Sequence, residues 1–187
     1  MFRPLAAAVL AAVALLGTAC GAEDAGDVEP ARYAQTVCTG LVGWRDGVAA
    51  DSAELTRSLG RAADVATVRD RYARFFAGTV RRTDQLLGTV RAAGAPETDQ
   101  GNGYARDLTA ALERTRTGLA AAQKKFAALP TTDLAGYAAG ARAVRDSLGT
   151  LFTQVGATLD ELGGRYTDSG LNRAFRDDPA CQRLSGT

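Results

Sequence analysis

The chain has no histidine. Histidine general bases, histidine metal ligands and the usual serine–histidine or cysteine–histidine nucleophile pairs are therefore excluded. Lysine is nearly absent. Of the 22 basic residues only Lys124 and Lys125 are lysine, and these two are too few to form a patch. No segment alternates apolar and polar residues at period two, and β-branched residues are not clustered, so strands are not expected. The longest apolar run, Leu5 to Leu16, is twelve residues and falls short of the roughly 20 that a spanning helix needs. There is no phosphate-cradling loop: Gly101-Asn102-Gly103 lacks the Lys-Ser/Thr that must follow.

What is present begins at the N-terminus. Met1-Phe2-Arg3-Pro4 is short and basic, the apolar run follows, and Gly17-Thr18-Ala19-Cys20 closes it with small residues before a cysteine. That order is a secretory signal over residues 1–19. Thr18, Ala19 and Cys20 resemble a bacterial lipoprotein cleavage site, with Gly17 where leucine is usual. The resemblance implies a lipid on Cys20 and residence at the outer face of the cell membrane. Ordinary cleavage after Ala19 or Ala22 would instead release a secreted protein.

Without residues 1–19, roughly 170 residues remain, enough for one domain with a core. Loss of Arg3 makes this part formally neutral, so nothing electrostatic calls for nucleic acid or an anionic membrane face. With Cys20 lipidated, Cys38 and Cys181 are left as a pair in an oxidising compartment, and a disulfide between them is expected. Two unpaired buried cysteines are the alternative.

Residues 20–29 are small and acidic, without an apolar pattern, and read as a flexible tether; residues 30–187 form the domain. Pro30 suits a first helical position. Tyr33, Val37, Leu41, Trp44, Val48, Leu55 and Leu59 follow at helical spacing to Gly60, with a bend expected near Asp51-Ser52. Asp64 caps a second helix ending at Gly94-Ala95-Pro96. Residues 96–103 read as a polar loop. A third helix carries Ala105, Leu108, Leu112, Thr115, Leu119, Ala122, Phe126 and Leu129 in steps of three and four, the seam of a bundle. Thr132-Asp133 caps a fourth, whose seam runs from Leu134 to Leu162 and stops at Gly163-Gly164. A short helical segment holds Leu171, Phe175 and Cys181. The expected fold is all-α: an up-down-up-down four-helix bundle with its C-terminal segment stapled to helix one. The loop at 92–103 would then face the membrane. The same seam regularity would also permit a dimer.

Candidate chemistry is sparse. Asp160-Glu161 and Asp177-Asp178 are adjacent carboxylates, but helical neighbours point about 100° apart and do not share a site by default. Asp178 reads better as a cap before Pro179. Arg69, Arg71, Arg74, Arg81 and Arg82 form a solvated face partly paired within its own helix, Asp70 with Arg74, as Glu161 is with Arg165. Trp44 and Phe75-Phe76 are core residues or the wall of an apolar pocket, and only one of the adjacent phenylalanines can point fully inward. No catalytic residue, metal site or cofactor is expected.

Tyr33, Cys38 and Trp44, then Gly94-Ala95-Pro96 with Gly101, then Ala174-Phe175 and Pro179-Ala180-Cys181 follow the signal. Together they resemble the small secreted or lipoprotein chains of actinobacteria that lack an assigned activity. The resemblance implies an envelope lipoprotein with a cysteine staple and implies no activity. Three functions follow as expectations: a non-enzymatic module contacting an envelope protein, a carrier of a small apolar molecule or lipid between its helices, and, with least support, a carboxylate enzyme.

Overall fold

The computed structural model describes residues 26–185, which contain six helices. The signal segment and Cys20 lie outside the described residues. Helix α1 spans Pro30–Leu59, α2 Val65–Ala92, α3 Gly101–Ala127, α4 Leu134–Arg165, α5 Ser169–Asp177 and α6 Pro179–Ser185. The fold is an all-α bundle, as expected.

Helices α2, α4, α5 and α6 start where aspartate caps satisfy their free amides. Asp64 accepts from the Thr67 N–H at 2.7 Å, Asp133 from Ala135 at 3.0 Å and Asp168 from Leu171 at 2.8 Å. Asp178 accepts from the amides of both Ala180 and Cys181 and so starts α6. Pro30 opens α1, which is continuous through Asp51-Ser52.

Helix α3 starts at Gly101, inside the stretch expected to be loop. The reason is close approach. Gly94, with φ 76°, turns the chain after α2. Ala95-Pro96 then doubles back so tightly that a side chain on Gly101 would strike the Pro96 carbonyl. Helix-disfavouring glycine is the residue that fits. At the other end, α4 continues through Gly163-Gly164 to Arg165, where a stop was expected.

Residues 26–29, expected within the free tether, are held. The amides of Gly26 and Asp27 donate to Pro96 and Ala95, Val28 N–H donates to Ala95, and Glu97 N–H returns to Val28 at 2.7 Å. Val28 and Pro96 form a single parallel β-bridge.

Contacts between neighbouring helices run in opposite order along the chain. Arg82 donates to Asp51, Trp44 Nε1 donates to Thr83 Oγ1 at 3.0 Å, and Arg116 pairs with Asp84. Two apolar clusters divide the bundle. One joins the start of α1, the end of α2, the start of α3, the end of α4 and α5 through Tyr33, Val37, Val90, Leu108, Leu162 and Leu171. The other joins Phe76, Ala122, Phe126 and Val144. Between them lie buried Thr79, Thr83 and Thr115, whose hydroxyls each donate to a carbonyl one turn back.

The arrangement departs from a closed four-helix ring. Helix α1 packs on α2 and, on another side, on α5 and α6, while α4 packs chiefly on α3. Among the described residues no extended interface joins α4 to α1. The short C-terminal helices take the place beside α1 that α4 would have filled.

Candidate functional site

Cys38 and Cys181 are joined by a disulfide, with Cα atoms 5.0 Å apart. Both cysteines are buried, together with Val42 and Ala180. The bridge fixes α6 to α1, and Phe175 of α5 packs against both this cluster and the larger core. Asp178 lies close enough to both sulfurs to suggest a metal-binding trio. The sulfurs are spent on each other, however, and the carboxylate is committed to capping α6.

Beside the bridge a cleft of about 610 Å³ opens between α1, α3, α4 and the C-terminal helices. Leu41, Leu108, Leu159, Phe175 and Leu184 supply its apolar walls, and Asn172, Arg176 and Gln182 stand among the polar residues that line it. Its size lies within the usual range for small-ligand sites.

A second feature is the exposed face of α4, whose C-terminal part borders the same cleft through Leu159 and Gly163. Of its 32 residues only Val144 and Leu162 are buried. The three exposed large apolar residues among the described residues, Leu134, Phe152 and Leu159, all belong to it, at 67%, 47% and 41% exposure. At roughly 100° per residue, positions 134, 152 and 159 fall on one stripe. The line that meets α3 through Val144, Leu151 and Leu162 lies about a quarter-turn away. The seam seen in the sequence is real, but only half its width is covered.

The titratable groups are structural. Asp107 accepts from Tyr166 Oη at 2.7 Å and from Arg165 at 2.8 Å, and also pairs with Arg106. The Tyr166 hydrogen bond first, then the two guanidiniums, hold its carboxyl below the usual range. Burial pushes the Tyr33 phenol well up and that of Tyr104 to about 12. Asp107→Asn is expected to cost roughly 1–2 kcal/mol at pH 7, from lost charge-assisted hydrogen bonds at a partly exposed site. A depressed carboxyl stabilises above its unfolded value of about 3.9 and loses that contribution as pH falls through its folded value. Urea unfolding of the two proteins should therefore converge as the pH is lowered below about 3.9 and through the depressed folded value.

The residues singled out in the sequence scatter. Asp160 and Glu161 are exposed on α4. Asp177 pairs with Arg176, so the two adjacent aspartates serve different neighbours. The Arg face of α2 pairs otherwise than its i,i+4 spacing suggested: Arg69 takes Asp70, and Arg82 reaches Asp51 on α1. Arg165 likewise takes Asp107 of α3 rather than Glu161. Phe76 is buried and Phe75 half-buried, and Trp44 is half-buried on Thr83, so none of the three lines the cleft. The Asp107–Tyr166–Arg165 group carried no signal in the sequence, because its members lie about sixty residues apart. No protein-family model matches the chain, and neither does any curated protein or solved structure.

Proposed function

We propose that the protein is a non-enzymatic helical interaction module, held at the outer face of the cell membrane by a lipid on Cys20. The observation that carries this reading is the uncovered apolar stripe of α4, with Leu134, Phe152 and Leu159 in line. Phe152 and Leu159 lie two turns apart on this line, with Leu134 about 27 Å further toward the helix start, and aligned apolar exposure on a folded domain suits an association surface. Two further features support the placement. The Cys38–Cys181 bridge suits an oxidising compartment. The hydrogen bonds of Gly26, Asp27 and Val28 to Ala95 and Pro96 set where a chain coming from Cys20 meets the domain, at the α2–α3 loop.

A photo-crosslinking side chain at Phe152, installed in cells, tests the reading. A defined adduct in the membrane fraction is expected from Phe152 and none from an exposed position on α2 such as Arg81. Equal, undefined labelling from both positions would remove the interaction reading. An intact mass beginning at Cys20 with added acyl groups tests the anchor separately.

The cleft beside the disulfide favours a second reading, a carrier of a small apolar molecule. Native mass spectrometry of protein from its host should then retain a ligand, and Leu41→Trp, at a half-buried position of the wall, should displace it.

A further inference from the structure

We propose that the partner of the α4 face is a second copy of this chain, with the two α4 helices antiparallel. This rests on the reading of α4 as an association surface and adds who occupies it. Three properties of α4 select a copy of itself.

The first is shape. Phe152 stands near the middle of the helix, with half-buried Leu148 and Val155 to one side of the stripe. On the other side lie Gly149, Gly156 and Gly163, seven residues apart, and a side chain added at any of them would meet open space. Bulky residues beside a shallow glycine track form a ridge and a groove on one helix. Such a surface can receive its own ridge at close range.

The second is charge. The first half of the helix carries Arg142 and Arg145, the latter 2.9 Å from its neighbour Asp146 at an exposed site. The second half carries Asp160 on the glycine side of the stripe, while Glu161 points to the opposite side of the helix and Arg165 is engaged by Asp107 of α3. Parallel copies would set like charges side by side. Antiparallel copies, with the two-fold axis between Phe152 and Thr153, set Arg145 opposite Asp160 and Gly149 opposite Gly156.

The third is symmetry. A two-fold interface uses the same patch on both subunits, so the patch must be self-complementary about its centre. The α4 face meets that requirement with Phe152 central and opposite charges at either end. At 1.5 Å per residue the helix is about 48 Å long, which suffices for an interface of standard size, about 800 Å² per partner. The apolar run Leu5 to Leu16 within the chain's own N-terminus has no charges to match either end of this face.

Sedimentation velocity over a wide concentration range, on protein purified from its host in its processed form and kept in non-ionic detergent if it carries lipid, tests this. The unaltered protein should be a dimer. Phe152→Asp should raise the dimer dissociation constant at least about a hundredfold, with the helical circular dichroism unchanged. Two charge reversals give the specific test. Arg145→Glu should be monomeric, as should Asp160→Arg. The double reversal Arg145→Glu/Asp160→Arg in one chain should dimerise again, because each reversed charge meets its opposite across an antiparallel pair and a like charge across a parallel one. A monomeric unaltered protein, or a double reversal that stays monomeric, would overturn the proposal. A monomer whose Phe152 is shielded from hydroxyl-radical labelling would also overturn it and would mean that the chain's own N-terminal residues cover the face. If the protein is monomeric while Phe152 still crosslinks to a different envelope protein in cells, the interaction module stands and only the second copy is lost.

Discussion

Removing the bridge between Cys38 and Cys181, by reduction or by changing both cysteines to alanine, should lower stability by roughly 5 kcal/mol. The magnitude follows from the 143-residue separation of the two cysteines, which makes the closed loop one of the largest this chain allows. With a urea slope of about 2 kcal/mol/M for a domain of this size, the unfolding midpoint should fall by about 2.5 M. The loss should also have a local pattern. Helix α5 has nine residues and α6 seven, too few to persist without packing. Both lie on α1. Amide exchange should therefore accelerate first over residues 169–185, exposing the faces of Val37, Leu41 and Val42, while α2 and α3 keep their protection. An unchanged midpoint after complete reduction would show that the short helices are held by packing alone.

The second large effect is expected at Tyr33. It is fully buried, and its ring meets the edges of Tyr104 and Phe175 at centroid separations of 6.1 and 6.3 Å. Tyr33→Ala should cost roughly 3–5 kcal/mol, the range for deleting a buried aromatic ring. Its hydroxyl has no hydrogen-bond partner among the described residues. Tyr33→Phe should consequently be neutral, or stabilising by about 1 kcal/mol, because it removes a buried polar atom and breaks no bond. The contrast between the two variants, read from urea midpoints, separates ring packing from hydroxyl chemistry. A loss of several kcal/mol in Tyr33→Phe would mean that the hydroxyl is satisfied by a buried water. The same burial has an alkaline consequence. A phenol whose folded pKa is raised stabilises below its unfolded value of about 10 and loses that contribution as pH climbs toward the folded value. Stability should decline from about pH 10 upward, and the decline should shrink in Tyr33→Phe.

Much of the helix layout was legible because its signals are local. Asp64 and Asp133 cap where they were expected to, and the seam of α3 is buried at Leu108, Leu112, Thr115, Leu119, Ala122 and Phe126. The errors occur where a distant segment decides. Gly101-Asn102-Gly103 looks like loop until the return of Ala95-Pro96 makes glycine necessary at the start of α3. Gly26 to Val28 look free until the same turn supplies carbonyls for them. The α4 seam has a legible period, but period says only that one face is apolar. Whether α1 or something outside the chain covers that face depends on where α5 and α6 lodge, and the disulfide decides that. The α4 stripe and the Asp107 group became visible for the same reason, since both depend on which helices end up adjacent.

The bridge also changes what a cut would do to the molecule. From Cys38 to Cys181 the backbone is a closed covalent ring, and the connectors at 60–64 and 128–133 both lie within it. A protease that severs either connector opens the ring without releasing a fragment, and every packed helix remains attached. Such a nick would be invisible in size until a reductant is added. Single cleavages in these connectors become tolerable wounds as long as the bridge is oxidised.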